Sequence, residues 1–262
     1  MDYLSVIVLA MVQGITEFLP ISSDGHLVIA EGLLRSLAGQ TIPEGLQLTI
    51  VLHAGTLLSI VVVFWGRIWR LLGADRRVIG LLIVATIPVV LVGLPLRKYA
   101  EEPLKSTLLT GILLPINGLI LLWAARRQGG TADYPQLTHR QALWIGMAQS
   151  LAPLPGISRS CTTIAAGLGN GLRRDAAATF SFLMALPAVG GACLNELIEY
   201  FREGSGPAVP WQQLLVGAIV SFLVGVLALK WLLHWLQAGR LHWFGWWCIG
   251  IGIAVVAWQL AA

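Results

Sequence analysis

The sequence predicts an all-α polytopic membrane protein made of two inverted repeats, each a re-entrant helical hairpin followed by three transmembrane helices. Three observations carry that expectation. The 262 residues are 56% hydrophobic and only 11% charged, whereas a soluble domain carries about 25% charged residues. Six apolar runs bounded by charge approach the roughly 20 residues that span a bilayer core. Two short polar islands, Gln13–His26 (QGITEFLPISSDGH) and Pro155–Thr163 (PGISRSCTT), interrupt this background at related places.

The six runs are Leu48–Trp65, Val78–Leu96, Thr107–Ala125, Ala176–Leu194, Gln213–Leu233 and Trp243–Leu260. They are continuous rather than alternating, which excludes a membrane β-barrel. The formal charge of +4 is spread over short loops, with no basic run interleaved with aromatics, so no nucleic-acid partner is expected. No Lys or Arg precedes Arg35, and the N-terminus is not expected to be a cleaved signal. Cys161, Cys193 and Cys248 lack metal spacing and sit in apolar stretches, where cysteine acts as a small hydrophobe. The 29 glycines suit close helix packing in lipid.

Lys and Arg favour the cytoplasmic side of short loops. Arg67, Arg70, Arg76 and Arg77 mark one inside loop, Arg126, Arg127 and Arg140 a second, and Lys230 with Arg240 a third. The Arg97–Ser106 segment, with Glu101 and Glu102, and the Phe201–Gln212 segment read as outside. Arg140 and Arg173–Asp175 then fall on the same side, although the second island lies between them. Its arms, Gln141–Leu154 and Ser160–Leu172, reach only roughly 20 Å at 1.5 Å per residue, too short to cross. The segment is therefore re-entrant, with its turn near mid-membrane.

The first island imitates the second. Gln13 precedes Pro20, and Gln149 precedes Pro155, by six or seven residues, and each proline leads into a Ser-rich turn. Asp2–Leu19 and Gly25–Leu37 are its arms. Three spans follow each hairpin, dividing one membrane domain (1–262) into repeats of about 1–125 and 141–262. An odd number of crossings inverts the second unit relative to the first, so the two tips meet near the midplane. Irregular backbone at that depth must be buried in protein or line a wet cavity, and ionisable groups there are functional by default.

Gln13 and Glu17, spaced i, i+4, share one helix face, and with their oxygens suit a hard cation such as Mg²⁺ or Ca²⁺. A helix-packing polar pair is the plainer alternative. Ser22, Ser23 and Gly25 form a turn able to cradle an anion. His26 suits a nucleophile or acid/base, or simply a satisfied helix-end residue. The other tip supplies Ser158, Arg159, Ser160, Thr162 and Thr163. Arg159 fits phosphate oxygens through its fork, or ion-pairs with Glu17 or Asp24 to hold the tips together. This combination indicates phosphoryl chemistry rather than a proton relay.

The two motifs, with the trailing AATFSFLMALPA, resemble the undecaprenyl-diphosphate phosphatase family of the bacitracin-resistance type, through essentially the whole chain. The resemblance implies hydrolysis of a polyprenyl diphosphate carrier at the outer face of the bacterial plasma membrane, aided by a divalent cation. It implies that Glu17 is the essential carboxylate, Ser23 or His26 the nucleophile, and Arg159 the phosphate clamp. Ser22, Gly25, Ser158, Ser160 and Thr163 are expected around the substrate, and Gln13, Glu17 and Asp24 around the metal. Many members carry Glu where this chain has Gln13, and a hydroxyl residue where it has Asp24. Asp24 thus reads either as a replacement metal carboxylate or as an N-cap for the following arm. A transporter or flippase for a polyprenyl phosphate lipid shares the architecture but needs no nucleophile. The sequence leaves open whether the protein acts alone or as a homodimer.

Overall fold

A computed structural model describes residues 3–38, 46–99, 104, 106–127, 129–203 and 209–261. The first hairpin is α1 (Tyr3–Thr16) and α2 (Ser23–Ala38). Next come α3 (Leu46–Val63), α4 (Trp65–Leu71), α5 (Arg76–Tyr99) and α6 (Thr107–Ala125). A 3₁₀ turn at Tyr134–Gln136 leads to the second hairpin, α7 (His139–Gln149) and α8 (Arg159–Gly169). The chain finishes with α9 (Arg174–Glu203), α10 (Trp211–Gln237) and α11 (Leu241–Ala261). Five of these helices are long and apolar enough to cross a membrane, and α3 with α4, bent by 78°, makes a sixth when the pair is counted as one broken span.

The helical arms are shorter than expected. α1 stops at Thr16 and α7 at Gln149, well before Leu19 and Leu154. Pro20, Pro153 and Pro155 cannot donate the N–H a continuing helix needs, so turns occupy 17–22 and 150–157. Each hairpin packs on itself, and the packing between units comes in matched pairs: α1 and α3 lie on α10, while α7 and α9 lie on α5. That pattern is compatible with an internal repeat.

The predicted inside loops gather at one end. Arg77 donates to the carbonyls of Pro135 (2.6 Å) and Leu137 (2.7 Å), and Arg173 reaches Asp133 at 3.3 Å. Arg174 donates to the Arg127 carbonyl at 3.3 Å and lies against Gly239. At the other end the Val209 N–H donates to Gln47 Oε1 at 3.3 Å, joining two segments expected outside. Glu101, Glu102 and residues 204–208 lie outside the described residues.

The exterior is apolar where lipid is expected, with Leu58, Ile83, Leu91, Leu119, Leu223 and Ile253 all exposed. The core carries the aromatic set Phe18, Phe64 and Phe182, with ring centroids 5.8 and 6.0 Å from Phe182. Between α6 and α11 the backbones nearly touch. A Cβ on Gly118 would sit 2.6 Å from the Gly245 carbonyl, and one on Gly252 2.8 Å from the Gly111 carbonyl. The wall formed by α5 and α9 is looser: a Cβ on Gly191 would meet nothing within 4 Å, and one on Gly93 would make ordinary contact with Pro153 at 3.4 Å and Val89 at 3.9 Å.

Candidate active site

The two turns between hairpin arms meet inside the protein, and buried side chains tie them together. Asn117, in the middle of α6, donates to the Pro20 carbonyl at 2.8 Å and accepts from the Ser158 N–H at 2.8 Å. One amide thus satisfies backbone groups of both tips. Ser22 does the same from the first tip, its Oγ accepting from the N–H groups of Gly25 (3.3 Å) and Gly156 (3.1 Å). It does so from a left-handed backbone, φ 73°, a region that non-glycine residues adopt at a cost. Gly156, at φ +94°, has no room for a side chain, since a Cβ would lie 2.7 Å from the Thr110 carbonyl.

Glu17 is the hub. Its Oε1 accepts from Arg159 Nη2 at 2.7 Å, an ion pair between the two tips with both side chains largely buried. Its Oε2 accepts from Gln13 Nε2 at 3.1 Å and from Ser23 Oγ at 3.0 Å. Arg159 also lies over the Phe182 ring, 5.9 Å from its centroid, and its Nη1 is buried without a protein partner. A buried guanidinium nitrogen with no acceptor is costly, and a phosphate oxygen is the acceptor its fork suits.

These groups face a cavity of about 610 Å³. Glu17, Ser22, Ser23, Asp24, Ser158 and Arg159 line its polar floor. Much of the rest is apolar, contributed by Val89, Val90, Gly93 and Leu94 of α5 and by Pro187–Val189 of α9. A small anionic centre below greasy walls suits an amphiphile with a charged head and a hydrocarbon tail.

Several expected site residues take other positions. His26 stands outside the lining: its Nδ1 contacts the Ser22 carbonyl at 2.8 Å, and its Nε2 accepts from Trp247 Nε1 at 3.0 Å. Gly25 is buried against Thr110 and Gly156. Ser160 donates to the Leu19 carbonyl at 3.4 Å, and Thr163 bonds Ser181 at 2.6 Å and the Arg159 carbonyl at 2.8 Å. Both fasten the second tip beneath the cavity. Asp24 lines the cavity and stands in the first turn of α2 rather than at its N-cap position: α2 begins at Ser23, and the Ser22 hydroxyl takes the Gly25 N–H.

His53 went unnoticed in the sequence. Its Nδ1 meets the Thr49 carbonyl at 2.9 Å, which assigns the proton to Nδ1 and aims Nε2 at Glu17 Oε2, 3.9 Å away. The signal was there, an ionisable residue inside an apolar span. Asn117 left the same trace in LLPINGLI.

A divalent cation of the Mg²⁺ or Ca²⁺ type takes oxygen ligands. Among the described residues, no three His, Cys, Asp or Glu side chains cluster closely enough to hold an ion alone. Gln13 is fully buried, outside the cavity lining, with its N–H on Glu17. Glu17 and Asp24 do line the cavity. Two carboxylates suit Mg²⁺, which draws its other ligands from water and phosphate.

Fold and site together define a class: an integral helical membrane protein whose polar centre forms where two interrupted hairpins meet below an apolar cavity. The chain belongs to the bacitracin resistance protein BacA family, whose profile matches residues 6–254. An undecaprenyl-diphosphatase of Rhodopirellula baltica is 47% identical over 255 residues, covering 97% of each chain. One of Desulfatibacillum aliphaticivorans is 39% identical, covering 98% of each chain. One of Corynebacterium glutamicum is 37% identical, over 97% of this chain and 89% of its own.

Proposed function

We propose that the protein hydrolyses undecaprenyl diphosphate, or a similar polyprenyl diphosphate, to the monophosphate and inorganic phosphate. The observation that carries this reading is the Glu17–Ser23–Arg159 constellation at the floor of a largely apolar cavity. The names of the relatives support it.

Arg159 Nη1 takes a terminal phosphate oxygen, and the tail lies along α5 and α9. Ser23 Oγ attacks the terminal phosphorus while Glu17, its hydrogen-bond acceptor, receives the proton. The phosphorus–oxygen bond to the lipid monophosphate breaks as the Ser23 ester forms. Water then hydrolyses that ester, returning the serine and releasing inorganic phosphate. Ser23 is assigned ahead of His26 because its hydroxyl is already paired with a base in the cavity, whereas the His26 ring is held by Trp247 and Ser22. Glu17 and Asp24 would hold a Mg²⁺ or Ca²⁺ ion, which supplies charge neutralisation at the phosphate.

The cavity is assigned to the outer face of a bacterial plasma membrane. Its lining includes Thr49, Leu104, Asn195 and Glu196, from segments toward the end where Gln47 meets Val209, away from the basic loops. A single cysteine at Trp211 should react with an impermeant thiol reagent added outside, and one at Asp175 should not; the reverse pattern would invert the assignment.

The activity is tested by phosphate release from undecaprenyl or farnesyl diphosphate by purified protein in detergent. Release that depends on Mg²⁺ or Ca²⁺ is expected. No release with any divalent ion, together with movement of the lipid across liposomes, would favour a transporter.

A further inference from the structure

Gln149 ends α7 in the second hairpin, six residues before Pro155, much as Gln13 near the end of α1 lies seven before Pro20. It is fully buried, it lines the cavity, and both Nε2 and Oε1 lack protein partners. A buried primary amide with neither end satisfied is rare, and its persistence calls for an absent partner. The contrast between hairpins explains how it arises. Gln13 gives its N–H to Glu17, one helical turn on. One turn on from Gln149 stands Pro153, which has no side-chain acceptor. The turn that would occupy the amide in the first hairpin leaves it facing the cavity in the second.

We infer that Gln149 is a second phosphoryl contact, its Nε2 donating to diphosphate oxygens that Arg159 does not reach. The inference rests on the diphosphatase reading and deepens it. Two cavity-facing donors match a ligand with two phosphoryl groups: one a charged fork at the start of α8, the other a neutral amide at the end of α7. The amide adds a donor without adding charge, so it helps hold the lipid diphosphate without strengthening retention of free phosphate as a second cation would. The same tip thereby contributes from both of its arms, whereas the first tip contributes the base and the hydroxyl.

The test uses full-length Gln149→Met and Gln149→Glu proteins in detergent, beside the unaltered chain. Phosphate release is measured against farnesyl diphosphate concentration, and melting temperature with and without methylenediphosphonate, a non-hydrolysable diphosphate. Gln149→Met should raise KM about tenfold, as loss of one hydrogen bond to a charged group implies, with kcat changed much less. Its melting temperature without ligand should hold or rise, since no protein hydrogen bond is lost, while the ligand-induced upward shift shrinks. Gln149→Glu should bind more weakly still, through repulsion between its carboxylate and phosphate.

An unchanged KM and ligand shift in Gln149→Met would overturn the inference, as would a fall in its ligand-free melting temperature, the sign of a purely structural amide. Tighter binding by Gln149→Glu in Mg²⁺ would also overturn it, making the position a cation ligand. The diphosphatase reading fails separately, when the unaltered protein releases no phosphate.

Discussion

Near the end of α1, Gln13 meets Glu17 four residues on; at the end of α7, the residue four on from Gln149 is Pro153. The first tip holds the carboxylate and the serine that touches it, the second holds the guanidinium that pairs with the carboxylate. Each tip uses its other hydroxyls for anchorage, Ser22 onto Gly156 and Ser160 onto Leu19. Similar backbones have therefore divided a reaction that either alone lacks the groups to run. The difference teaches that two similar hairpins can diverge at a single residue, because the side chain four positions from a glutamine decides whether its N–H finds a partner in the protein.

The largest effect should come from breaking the first tip. Glu17→Gln should lower kcat by roughly 10²–10⁴-fold, the usual worth of a general base, read by phosphate release. Its melting temperature should fall as well, because Arg159 keeps a buried charge without its partner. Near-normal turnover would move the base elsewhere.

The second tip should be nearly as sensitive. Arg159→Lys keeps the charge and loses the fork, and turnover should drop about 10²-fold, in the range seen on losing one transition-state donor. A Lys variant close to full activity would reduce the contribution of this tip to electrostatics alone.

Separating the tips should cost less than emptying either. Asn117→Leu strands the Pro20 carbonyl and the Ser158 N–H, which should destabilise the protein by about 1–3 kcal/mol, measured by thermal melting. Activity should fall in step, since Ser158 and Glu17 would no longer share a fixed frame.

The smallest effect sharpens the position of His26. Asn can reproduce the contact that its Nδ1 makes with the Ser22 carbonyl, so His26→Asn should retain several-fold more activity than His26→Ala. Equal inactivity of the two would restore His26 as a chemical participant.

Much of this was legible beforehand. The spans emerge from apolar runs alone, and Thr107–Ala125 coincides with α6. The pairing of Glu17 with Arg159 was one of two alternatives raised by charge at depth. The hairpin ends were harder, because proline dictates where an arm stops only once its neighbours are known. The contacts of Ser160, Thr163 and His26 were not legible either. A hydroxyl or an imidazole in a polar island is equally suited to ligand and backbone, and direction along a short helix decides which it meets. His53 and Asn117 lay hidden for the opposite reason, as single polar letters in apolar runs whose partners are distant in the chain.

The seam between α6 and α11 has a mechanical consequence. Where backbone lies on backbone at Gly118–Gly245 and Gly111–Gly252, neither rotation nor sliding is possible without collision, and even the kink-prone Pro115 is wedged against Gly252. Helix α5 is interlocked with α7, where Gly146 lies against the Ala85 backbone, but among the described residues no glycine locks α5 and α9 to each other in this way, and they carry Pro88, Pro95 and Pro187 inside their length, each removing one restoring hydrogen bond. The molecule is thus stiff on one flank and compliant on the other. Thermal breathing concentrates where the stiffness is least, so any opening wide enough for a long flexible chain belongs to the flank that already borders the cavity.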